Sequence, residues 1–117
     1  MPGATRRWYA VVEEEVARNS KPTLLSPDEV TEALKALPDW SGDTSAISRT
    51  VRAPSFTTGI DLVRRVADVA EEMNHHPDID IRWRNVTFTL ATHVAGGVTV
   101  LDVELAGRID QQAARSA

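Results

Sequence analysis

The 117-residue chain has three histidines, and all of them fall in its second half, at His75, His76 and His93. An imidazole gains or loses a proton near neutral pH, so two of them can serve as acid and base in one reaction. Glu71 precedes His75 by one helical turn, where a carboxylate could hold the ring and stabilise its charged form. These residue types at this spacing predict catalysis by proton transfer.

A metal site is the alternative interpretation, because three imidazoles hold zinc in some hydrolases. Adjacent side chains of an extended segment point in opposite directions, so His75 and His76 are poorly placed to share one ion. The chain has no cysteine, which excludes a disulfide framework, a thiolate metal site and a cysteine nucleophile. We therefore favour acid–base chemistry with no metal ion and no organic cofactor.

The composition limits the classes of partner. The chain has 26% charged and 42% hydrophobic residues. Its formal net charge of -4 argues against nucleic-acid binding, because that function needs a basic surface. A transmembrane helix needs about 20 apolar residues. The apolar run from Trp8 to Val12 is shorter than the core of a signal peptide. The sequence predicts a single cytoplasmic domain that binds neither nucleic acid nor a membrane.

Helix caps and helix breakers define the elements that must position the histidines. Ser26 is predicted to cap a first helix that ends at Pro38, and Ser55 to cap a long second helix that Pro77 ends. The first two histidines then lie at the exit of the second helix. A third helix is predicted to begin after Thr99.

Alternating apolar residues predict two strand pairs between these helices. Residues 41–43 supply turn chemistry in the first pair, and Trp83 continues the apolar alternation of residues 79–83, so it is predicted to pack. The return strand covers residues 86–93 and ends at His93. The connection inside each pair is too short for a parallel crossover.

The order of elements is therefore helix, two strands, helix, two strands, helix. It predicts an α+β domain of two layers, with a four-stranded antiparallel sheet and helices packed on one face. Residues 23–117 are assigned to this domain. Residues 1–22 are predicted to be an N-terminal extension, in which Trp8 to Arg18 could form one short helix.

The spaced pattern of Glu71, His75-His76-Pro77, Trp83, His93 and Asp102 resembles the signature of the pterin-4a-carbinolamine dehydratases. The resemblance covers nearly everything except the N-terminal extension. It implies loss of water from 4a-hydroxytetrahydrobiopterin to give quinonoid dihydropterin, a step of tetrahydrobiopterin recycling, and a homodimer or homotetramer. It leaves one alternative, a non-catalytic dehydratase-like factor that binds or assembles a protein partner.

The resemblance also implies which residues form the site. The implied catalytic set is His75, His76 and His93, with His75 and His93 as acid and base and His76 chiefly orienting the pterin. The implied substrate contacts are Glu71, Asn74, His75, His76, Ala91, Thr92, His93 and Val94.

Two further residues each have two possible roles. Asp102 could orient a histidine, but it is also the third helical position after Thr99, and we favour the capping role. Trp40 could line the pterin pocket or belong to the core.

Overall fold

The computed structural model describes residues 22–116, which form three α-helices and four strands. The predicted N-terminal extension lies, except for its last residue, outside these described residues. The helices are α1 (Pro27–Lys35), α2 (Phe56–Met73) and α3 (Val100–Ser116), the strands are β1 (Ser41–Gly42), β2 (Ile47–Arg52), β3 (Asp78–Arg82) and β4 (Asn85–Leu90), and a short 3-10 helix spans His93–Ala95.

The four strands form one sheet in the order β1-β2-β4-β3, with every neighbouring pair antiparallel. The core-facing side chains of the central strands, such as Val51 and Phe88, are buried together with Leu62 of α2 and Ile109 of α3. The predicted α+β class is confirmed. Because the helices and the central strands share one apolar core, the ends of α2, β4 and α3 are held in fixed positions.

Both predicted helix caps are present as capping boxes, in which two backbone donors are satisfied reciprocally. The Ser26 hydroxyl accepts from the N–H of Glu29, and the Glu29 carboxylate accepts from the N–H of Ser26. Ser55 and Thr58 make the same exchange at the start of α2. The local sequence therefore sets where α1 and α2 begin.

The first strand pair differs from the prediction, because residues 41–42 are a strand and the turn follows them. A Cβ on Gly42, whose φ is +144°, would lie 2.1 Å from the carbonyl oxygen of Ala46, so this strand position needs a glycine. The Ser45 hydroxyl and N–H donate to the Asp43 carboxylate in the turn, and these bonds hold the pKa of that carboxyl below its usual value.

Trp83 does not pack in the core, which corrects the expectation from alternation. Strand β3 ends at Arg82, and a turn of two residues, Trp83 and Arg84, joins it to Asn85, the partner of Arg82 in the ladder. Trp83 has a φ of +54° and is 67% exposed, with the Arg84 guanidinium 4.8 Å from its ring centroid. The alternation therefore stops one residue earlier than the sequence pattern indicated.

Candidate active site

The exit of α2 is shaped by Asn74, which has a left-handed conformation with a φ of +51°. The N–H of Asn74 donates to the carbonyl of Glu71 at 3.2 Å, and the N–H of His75 donates to that of Ala70 at 3.0 Å. This pair of bonds is a Schellman motif, and asparagine tolerates the left-handed conformation better than most residues. The helix thus ends at Met73, four residues before Pro77, and the backbone of His75 is fixed.

The side chain of His75 is held by Asp102 near the start of α3. Its Nε2 lies 2.6 Å from Asp102 Oδ1, and the side chains are 11% and 0% exposed respectively. A buried carboxylate needs hydrogen-bond donors around it, and the imidazole is one of them. This contact joins the exit of α2 to the first turn of α3.

Two threonines complete the surroundings of Asp102. Its Oδ2 accepts from the hydroxyl of Thr92 at 2.8 Å and from the N–H of Thr99 at 2.9 Å. The two threonine hydroxyls lie 2.7 Å apart, and both residues are buried. Asp102 therefore caps α3 and orients His75 at the same time, two roles that the sequence analysis treated as alternatives.

Glu71 contacts His76, and the predicted contact between Glu71 and His75 is wrong. Glu71 Oε2 is hydrogen bonded to Nε2 of His76, and both side chains are exposed. Because the chain leaves α2 through the left-handed Asn74, the helical relation between positions i and i+4 no longer holds at His75. The carboxylate at residue 71 therefore meets the second histidine of the pair.

His93 lies beyond the last strand, and its predicted position as the end of that strand is wrong. Strand β4 ends at Leu90, and His93 begins the 3-10 helix, where His93 and Val94 are exposed, Val94 at 80%. Ala91, two residues before His93, is half-buried. The segment that follows β4 therefore presents His93 and Val94 outward.

Thr92 points inward, and its backbone groups are engaged within the same loop. Its N–H donates to the carbonyl of Gly97 at 2.8 Å, and its carbonyl accepts from the N–H groups of Ala95 and Gly96, both at 3.0 Å. Gly96 closes the turn with a φ of +81°. Thr92 therefore holds together the backbone of the loop that carries His93.

Trp40 belongs to the core, where it is 4% exposed. Its indole N–H donates to Asp110 Oδ1 at 2.8 Å, and the guanidinium of Arg49 bonds the same oxygen. The bonded indole anchors the start of β1 against α3. The structure therefore places Trp40 among the packing residues.

Asp102 brings the site segments together. It bonds His75, which follows α2, and Thr92, the neighbour of His93 after β4. The side-chain role of Thr92 was not predicted, although the helix predicted to begin after Thr99 pointed to this part of the fold. Within residues 22–116 no group of three histidine or acidic side chains is arranged to hold a metal ion. The helices in that range are all too short or too polar to span a membrane.

Comparison with known proteins finds one matching family model and several similar sequences. Residues 23–112 match the family model described as "Pterin 4 alpha carbinolamine dehydratase". A protein of Nocardia farcinica, named "Putative pterin-4-alpha-carbinolamine dehydratase", is 58% identical over 90 residues, which cover 77% of this chain and 95% of that protein. A protein of the same name from Mycolicibacterium smegmatis is 56% identical over 88 residues, covering 75% and 94% of the two chains.

Two solved structures resemble the fold. A transcriptional coactivator/pterin dehydratase from Brucella melitensis aligns with a TM-score of 0.73 and 35% identity, covering 76% of this chain and 97% of that one. A pterin dehydratase-like protein described as a RuBisCO assembly factor in the alpha-carboxysome aligns with a TM-score of 0.53 and 21% identity, covering 63% and 86%. The second likeness concerns the fold alone.

Proposed function

The chain belongs to the pterin-4a-carbinolamine dehydratase family, and on that premise we propose that it removes water from 4a-hydroxytetrahydrobiopterin to give quinonoid dihydropterin. The observation that carries the proposal is the hydrogen bond of 2.6 Å between His75, which is 11% exposed, and the fully buried Asp102, next to a segment that presents His93. Tetrahydrobiopterin recycling is the proposed context of the reaction.

The reaction needs two proton transfers. The bond between C4a and the hydroxyl oxygen breaks, and that oxygen leaves as water once it has received a proton. The proton on N5 passes to a base while the N5 lone pair forms the new double bond to C4a. A positioned acid and a positioned base contribute typically 10²- to 10⁴-fold each to such a step.

His75 has the surroundings that an acid or base requires. Its Nε2 is engaged by Asp102, so the other ring nitrogen, Nδ1, is the atom available for a proton transfer. A neutral ring would accept a proton at Nδ1 while Nε2 stays bonded to Asp102. We assign His75 and His93 to the two proton-transfer roles.

The residues around these histidines are proposed to hold the pterin. His76, bonded to Glu71, would orient the ring, while Asn74, Ala91 and Val94 would line its rim. A flat ring with several donors and acceptors suits such a mixture of polar and apolar contacts. Thr92 is proposed to support this rim from beneath, because its side chain is buried.

A direct assay tests the proposal. We expect the purified full chain to accelerate formation of quinonoid dihydropterin from a synthetic 4a-carbinolamine, followed by its absorbance against a buffer blank. A rate equal to that of the blank would contradict the dehydratase function. The alternative, a factor that binds a protein partner, would then gain support from a stoichiometric partner retained by a variant without the three histidines.

Self-association as a homodimer or homotetramer is the proposed assembly. Strand β3 is an edge of the sheet, and it carries Ile81 at 40% exposure beside Trp83. An unpaired edge with apolar side chains favours pairing with a second copy.

We expect light scattering to give a mass of at least two chains, and Ile81→Lys to shift it towards one chain. Thr50→Lys, an exposed change on the central strand β2, is the control. A wild-type mass of one chain would contradict the proposal.

A further inference from the structure

The hydrogen atoms around Asp102 can be assigned by counting donors and acceptors. An ionised carboxylate only accepts, so the single hydroxyl hydrogen of Thr92 is given to Asp102 Oδ2. Thr92 must then accept from the hydroxyl of Thr99, which lies 2.7 Å away. The oxygen of Thr99 in turn accepts from the N–H of Leu101 at 3.3 Å. The chain of donors therefore runs in one direction, towards the carboxylate.

This chain of donors fixes the carboxylate in place. Oδ2 is held by Thr92 and by the N–H of Thr99, so Oδ1 is left facing His75. The imidazole can satisfy Oδ1 only by donating from Nε2. With the backbone of His75 already fixed by the Schellman motif, the ring has one favourable tautomer and one orientation.

We propose that Thr92 and Thr99 are positioning residues: their hydroxyls form a directional relay that locks Asp102, and through it the Nε2–H tautomer of His75. The relay acts through His75 and touches no substrate. Its effect on catalysis rests on the proposed dehydratase function, whereas its effect on the tautomer does not. The relay therefore leaves Nδ1 as the reactive nitrogen of His75.

The threonine relay is tested with Thr92→Val, which removes one hydroxyl and preserves the shape of the side chain. We expect kcat for dehydration to fall about 10-fold with KM nearly unchanged, because a bond to a charged group is lost. Thr92→Ser should restore most of the rate. The control is Thr87→Val, because Thr87 pairs with Thr50 at the same 2.7 Å on the exposed face of the sheet, outside the chain of donors that ends at Asp102.

The tautomer of His75 is the readout that a merely structural role would not change. Imidazole nitrogen NMR of the full chain should show neutral His75 protonated at Nε2, and a mixture of both tautomers in Thr92→Val. If Thr92→Val fails to fold, Thr99→Val, which keeps both bonds to Oδ2, should still show a smaller shift towards the mixture.

The outcomes separate this relay from the proposed function. A wild-type chain that is inactive in the assay but shows the locked tautomer overturns the dehydratase function and supports the relay. Protonation of wild-type His75 at Nδ1, or a Thr92→Val variant with the wild-type tautomer, overturns the relay whatever the assay shows.

Discussion

Replacement of both His75 and His93 by alanine is expected to lower kcat for dehydration by about 10²- to 10⁴-fold, because both proton transfers then depend on water. The combined loss should be smaller than the product of the two single losses, since residues that act as one unit are not additive. The initial rate of quinonoid dihydropterin formation measures the effect.

The two single variants separate catalysis from folding. His93 is exposed, so His93→Ala should keep the wild-type unfolding midpoint and lose only activity. His75→Ala also removes a donor from a fully buried carboxylate and should lower the midpoint. A double variant with the wild-type rate would refute the assignment of these histidines.

Among the variants proposed for this protein, Asp102→Ala is expected to lose the most stability, about 3–5 kcal/mol in the free energy of unfolding. The side chain is fully buried, and its removal leaves three donors without an acceptor: His75 Nε2, the Thr92 hydroxyl and the Thr99 N–H. Urea denaturation followed by circular dichroism measures the change.

An exposed aspartate of α2 provides the matched control for Asp102. Asp68→Ala should change the free energy of unfolding by no more than about 0.5 kcal/mol. Asp102→Asn should be more stable than Asp102→Ala but should not recover the rate. The NH2 group of the amide replaces one carboxylate oxygen and would face a group that is itself a donor. A loss below about 1 kcal/mol in Asp102→Ala would show that the three donors find other partners.

The features that could be predicted from the sequence are those that depend on near neighbours. Ser26 and Ser55 cap helices through residues three positions away, and alternating apolar residues identify the central strands. The three histidines and Asp102 were also recognisable as candidates from their spacing. Local chemistry thus gave the helix starts and the residue types of the site.

The partners within the site could not be predicted, because they depend on the path of the chain. Because Asn74 has a left-handed conformation, the hydrogen-bond partner of Glu71 is His76 and not His75. The bond between His75 and Asp102 joins residues that are 27 positions apart and exists only because α2 and α3 pack side by side. Trp83 was misassigned for a similar reason, since the hairpin register decides where the alternation stops.

The double role of Asp102 has a consequence for how this protein can evolve. A duplicated copy released from selection for catalysis can lose His93 at little cost, because that side chain is exposed. The same copy cannot lose Asp102 without unfolding in part, because the start of α3 and the buried threonines depend on it. In descendants that have become inactive, His93 should therefore be lost before Asp102, and an aspartate that persists without His93 indicates the fold and not the activity.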